Sequence, residues 1–212
     1  YKRQIDLHQR APQYAFRGLG QNIEKPDWDS WFDLYAFPEE KRYQDLEYAQ
    51  RAYGRLVSDL LKSTTTRICT FATIHRPATE LLMELLHRSG LCAYVGKVNM
   101  DRNSAEGLLE TTEESVGRYP HVKPIITPRY IPSCTDEVME GLSALMKEFG
   151  VPVQSHLSEG LDEIAWVHQL MPDISFYGQG YDRFDMMGTV QPTLMAHCIF
   201  SNQEEFDMLC SR

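Results

Sequence analysis

The sequence has no CxxC pair, no stretch approaching about 18 consecutive apolar residues, and no excess of Lys and Arg over Asp and Glu. Each absence closes a class of function. The five cysteines (Cys69, Cys92, Cys134, Cys198 and Cys210) are odd in number and widely spaced. That argues against a disulfide framework or a thiolate zinc site and fits a reducing cytosol. With no long apolar run there is no candidate membrane helix, and the opening YKRQIDLHQR has no apolar signal core, so a cytoplasmic setting is expected. A net charge of -9 disfavours nucleic acid and acidic membranes as partners, because phosphate-backbone binders concentrate cations. Also missing is GxGxxG: the nearest match, GLGQN at 18–22, follows no clear strand and lacks the third glycine.

What is present reads as one folded domain over residues 1–212. Hydrophobic residues make up 42% and charged residues 24%, and no repeat or Gly/Pro-rich linker interrupts them. Short β-rich runs alternate with helical periodicity, the pattern of a parallel α/β fold. Strands are expected at 67–74, 91–98, 122–128, 151–157 and 193–199, and a short one around Ile5 and Leu7. Helices are expected at 46–61, 79–88, 135–149, 161–171 and 202–209. Thr135 with Val138 and Ser201 with Glu204 resemble capped starts, while Gly90 and Gly150 sit where helices should stop. The weak link is Asp101 to His121, mostly polar and with little room for a crossover helix.

The alternation fits a doubly wound sheet or a (β/α)8 barrel, and the polar residues favour the barrel. His156, His197, Arg129 and Lys97 fall at or near C-terminal strand ends, where barrel enzymes build their sites. In SHLSE (155–159) a neutral His156 can ligate zinc, and Glu159 can move the proton of a water held beside the metal. An isolated HxxE is more often a buried histidine beside an exposed glutamate. MAHC (195–198) repeats the signal, and two histidines from consecutive strand ends together favour metal. His8 in IDLHQR would be a third ligand, although a histidine near a chain end is at least as often a surface group. Arg129 in TPRY can present a guanidinium to a carbonyl of a substrate. His75 and Lys97 read as supporting or packing groups, and the aromatic run at 28–38 reads as core or as a stacking wall for a flat heterocycle.

These residues resemble the guanine deaminases of the amidohydrolase superfamily. The likeness rests on APQY (11–14), WFDLYAFP (31–38), FATIH (71–75), VGKVNMDRN (95–103), TTEES (111–115), VKPIITPR (122–129), QSHLSE (154–159), DEIAWV (162–167), YDRF (181–184) and MAH (195–197). It implies part of a metal-dependent (β/α)8 barrel, about the first six strands, one zinc ion per subunit and a homodimer. The implied reaction is hydrolysis of guanine to xanthine and ammonia, a step of purine catabolism. His8, His156 and His197 match the family's zinc ligands, Glu159 its proton shuttle, and Gln13 and Arg129 the groups that hold the purine.

Three departures qualify the resemblance. Arg10, a cation that cannot ligate zinc, stands where the family has the second histidine of its HxH pair. Val116 to His121 replaces a longer stretch that contains a helix in the family. The chain also begins at Tyr1 and stops at Arg212, short of the last two strands and the aspartate ligand, so an incomplete barrel is expected. An alternative follows: a catalytically inactive form acting as a binding or interaction module, unable to deaminate guanine alone.

Overall fold

The computed structural model describes residues 4–19, 31–102 and 115–212. Among the described residues the strands are β1 (Gln4–Arg10), β2 (Thr65–Phe71), β3 (Cys92–Gly96), β4 (Val98–Asn99), β5 (Val122–Pro124), β6 (Thr127–Pro128), β7 (Val153–Leu157) and β8 (Thr193–His197). The α-helices are α1 (Phe37–Arg42), α2 (Leu46–Lys62), α3 (Arg76–Ser89), α4 (Asp136–Phe149), α5 (Leu161–Leu170), α6 (Gly178–Asp182) and α7 (Gln203–Cys210). They fall into two compact units, Tyr1–Lys97 with Gly117–Lys123, and Val98–Val116 with Pro124–Arg212.

The first unit is built on a sheet of order β1-β2-β3-β5, in which β1, β2 and β3 run parallel. Helix α2 starts because the Asp45 carboxylate accepts the N–H groups of Glu47 and Tyr48 at 2.8 and 3.4 Å. Its buried face, Ala49, Ala52, Tyr53, Leu56, Val57 and Leu60, repeats every three or four residues. Helix α3 buries Ala78, Leu82, Met83 and Leu86 and stops at Gly90, whose φ of 79° is left-handed. One apolar core joins these helices to Ile68, Ala93, Val95 and Val122 of the strands.

The second unit holds two parallel strand pairs, β4 with β6 and β7 with β8. A parallel bridge between Ile126 and Val153 joins the link before β6 to β7. All five residues of β7 are buried, so its sequence carries no polar/apolar alternation. Thr135 caps α4 by accepting the Val138 N–H, and Gly150 ends it at φ 63°. Val138, Met139, Leu142 and Met146 of α4 pack with Val153 and Leu157 of β7 and with Tyr177 and Tyr181.

Several boundaries differ from the sequence expectation. The runs 91–98 and 122–128 are each two strands: the first is interrupted at buried Lys97, the second at Ile125 and Ile126. At the second break Ile126 turns its backbone bonds to the neighbouring strand, donating to the Pro152 carbonyl and accepting the Gln154 N–H, both at 2.9 Å. Helix α3 starts at Arg76 rather than Thr79, because Pro77 in the first turn suits a helix N-terminus. In SNQEE the cap is Asn202, which accepts the Glu205 N–H at 2.9 Å, so the Ser201 start is displaced by one residue. Helices α1 and α6, too short to show a period, were not expected. Of the polar link, Val116–His121 is turn and bend, whereas TTEES up to Glu114, Asn103 of VGKVNMDRN and 28–30 of the aromatic run lie outside the described residues.

Candidate metal centre

In the second unit β7 and β8 bring His156 and His197 together. Their rings stack with centroids 5.3 Å apart and planes 18° from parallel, and their ligand nitrogens lie within 4.8 Å. Regular pairing would not produce this. The register sets His156 opposite Ala196 and His197 opposite Leu157, and partners across a parallel pair share a face, so on an unbroken strand His197 would follow Leu157 away from His156. The backbone of His197 is left-handed instead, at φ 76°, as is that of Cys198 at φ 54°. That turn breaks the alternation and delivers the second ring to the first. Such conformations are costly for non-glycine residues and gather at functional sites.

His156 is buried, and its Nδ1 lies 2.5 Å from the main-chain carbonyl of Arg129. A carbonyl only accepts, so Nδ1 carries a proton, and in the neutral ring that leaves the lone pair on Nε2, the tautomer a metal ligand needs. The strand that carries the ring is pinned as well. The Tyr181 hydroxyl lies 2.8 Å from both the His156 carbonyl and the Ser155 hydroxyl, and Ser155 donates to the Pro128 carbonyl at 2.7 Å. Burial pushes the Tyr181 hydroxyl well above the ordinary phenol range, so it stays a neutral donor.

Glu159 stands just past β7 in a turn whose preceding residue, Ser158, is left-handed at φ 49°. Its Oε2 is 3.3 Å from His197 Nε2, and both side chains remain partly open to solvent. A carboxylate in that place can exchange protons with a group held at the histidines. Two oriented imidazoles with a neighbouring carboxylate match the donor chemistry zinc prefers, and the separation of the nitrogens admits a common ion.

Arg129 is buried in the second unit, whereas His8 and Gln13 belong to the first. His8 lies on β1, where the register with β2 shifts between Asp6 and Gln9, a bulge of the kind that re-aims side chains beside active sites. Its ring stands edge-on to Phe71 at 5.3 Å. Gln13 sits on the short 3-10 helix Ala11–Phe16, half-buried, and its Nε2 is buried with no hydrogen-bond partner among the described residues. An unsatisfied buried amide costs about 1–3 kcal/mol, an expense that fits a donor kept for a ligand.

The Amidohydrolase family profile matches residues 4–212. The chain belongs to the amidohydrolase family. This amidohydrolase chain is 40% identical to a guanine deaminase of Dictyostelium discoideum and 38% identical to one of Rattus norvegicus, each over 98% of its own length and 48% of theirs. In structure it resembles a guanine deaminase from C. acetobutylicum described with bound guanine in the active site, at TM-score 0.89 and 46% identity, over 97% of this chain and 51% of that one. The chain spans about half the length of the curated relatives it matches. Its parallel α/β fold is that of an amidohydrolase barrel in part. Sequence reasoning valued Arg129 for its guanidinium and missed that its carbonyl orients His156. Only the strand-end position of TPRY pointed to that role.

Proposed function

We propose that this chain supplies the zinc-binding histidines and the proton shuttle of a guanine deaminase, converting guanine to xanthine and ammonia. The observation that carries the reading is the His156–His197–Glu159 arrangement, with one ring locked in the ligand tautomer by the Arg129 carbonyl. On this reading His8 is the third histidine ligand, placed like the others at a strand end, and one zinc is held. The zinc, when bound, supplies an electrophile and an acidified water at neutral pH. Glu159, beside His197, would hold a proton and pass it toward the departing ammonia. Its place beside His197, outside the stacked pair, suits a group that must stay free to move protons. Gln13, whose Nε2 has no hydrogen-bond partner among the described residues, and Arg129 hold the polar edge of the purine. Guanine is the partner that the named relatives support.

Arg10 favours a second reading, a form that binds without turning over. One experiment separates the two. Residues 4–212 replace the matching half of the Dictyostelium discoideum enzyme, once with Arg10 and once with Arg10→His, and xanthine formation is followed with excess zinc. The proposal expects turnover with Arg10→His and at least about 10²-fold less with Arg10, the loss expected from a damaged metal shell. Zinc-loaded chimeras that both leave guanine unchanged would reject it.

A further inference from the structure

The turn that carries Glu159 is held from both sides by two other carboxylates. Glu163 Oε2 accepts the N–H groups of Glu159 and Gly160 at 3.1 and 3.3 Å, while its Oε1 accepts the Tyr177 hydroxyl at 2.8 Å. Glu205, on α7, is buried. Its Oε2 accepts the Ser158 hydroxyl at 2.8 Å and its Oε1 the Gly178 N–H at 2.7 Å. Residues 158, 159 and 160 are therefore each fixed by a carboxylate, and both carboxylates are fixed in turn by the consecutive residues Tyr177 and Gly178. Tyr177 is itself buried. A Cβ at Gly178 would stand 2.6 Å from the flexible tip of Met208 and 3.2 Å from Glu205 Oε1, so a side chain there would crowd the carboxylate.

An ordinary helix cap explains only part of this. In a capping box the glutamate of the first turn reaches back to the N–H of the cap residue, here Gly160. Glu163 reaches one residue further, to Glu159 itself. Among the described residues neither Glu163 nor Glu205 forms an ion pair, so desolvating these two acids is offset only by the neutral donors they hold. A left-handed Ser158 adds to the cost. The expenditure is concentrated on three residues around one carboxylate, beside His197.

We infer that Glu163 and Tyr177, seconded by Glu205, are positioning residues that hold Glu159 against His197. The inference rests on the reading of Glu159 as the proton shuttle, and it is tested without turnover. The 212-residue chain, without added metal and at one pH, is compared with Glu159→Gln, Glu163→Ala, Glu163→Gln and Tyr177→Phe. Two signals are read: the ring-nitrogen resonances of His197, with His121 as control, and amide exchange at Glu159 and Gly160. Glu159→Gln should shift the His197 resonances. Glu163→Ala should reproduce that shift and speed exchange at the two amides by about tenfold or more, the loss of one or two hydrogen bonds. Glu163→Gln, which keeps an oxygen for both amides, should restore both signals to near those of the parent. Tyr177→Phe removes a single hydroxyl and should move the His197 resonances the same way, so the test stands even where Glu163→Ala fails to fold. His197 resonances unmoved by Tyr177→Phe and by a folded Glu163→Ala would reduce Glu163 to a helix cap and overturn the inference. Failure of guanine turnover in the chimera would leave this result standing, because nothing here is read from activity.

Discussion

At His197 a single backbone torsion does what strand pairing alone would not, since its φ of 76° turns the ring out of register onto His156. The position of His197 at a strand end was legible in the sequence. The torsion was not, because nothing in MAHC marks a left-handed residue as a glycine would. Equally hidden was the hydrogen bond from His156 Nδ1 to the Arg129 carbonyl, since a main-chain acceptor leaves no trace in residue identity. Tyr181 tests how firmly His156 is seated. Tyr181→Phe strands the buried Ser155 hydroxyl and His156 carbonyl on that side and should cost about 1–3 kcal/mol in urea unfolding, with little loss of helix signal in the native state. The cysteines give a second residue-scale prediction. Burial pushes the Cys69 thiol up to about 12 and Cys134 up to about 11, whereas Cys210 is exposed. Only the thiolate reacts, so at pH 8 in the native chain Cys210 should react with a disulfide reagent while Cys69 and Cys134 stay silent until unfolding. Rapid native labelling of either buried thiol would contradict that.

Among the elements, the long helices α2, α3 and α4 were readable because each carries a buried stripe, with a side-chain cap in α2 and α4 and a glycine stop in α3 and α4. Thr135, Val138 and Gly150 of α4 showed all three in the sequence, and the structure uses all three. Short elements carry too few residues to show a period, which is why α1 and α6 are not legible in the sequence and the strand pairs around Lys97 and Ile125 read there as single runs. Leu142 on α4 is fully buried in the second unit's core. Leu142→Ala should therefore destabilise by about 2–5 kcal/mol, the sum of lost transfer energy and residual cavity, measured as a lower urea midpoint at unchanged slope. Exposed Leu61 on α2 should tolerate the same change within about 0.5 kcal/mol.

For the whole molecule, family and fold class were legible because motif blocks recur in order along the chain, and the family match over residues 4–212 agrees with that reading. The candidate site was legible in part: its histidines and carboxylate could be named, but not the hydrogen bonds that hold them, which join residues far apart in sequence. On the proposed reading Arg10 decides between turnover and binding alone, and the chimera addresses it. The central claim, that His156 and His197 bind zinc while Glu159 does not, is tested most directly by zinc titration of the purified chain and three variants. The account predicts about one zinc per chain, its loss in His156→Ala and in His197→Ala, and its retention in Glu159→Gln. Zinc binding that survives both histidine changes, or that vanishes with Glu159→Gln, would contradict it.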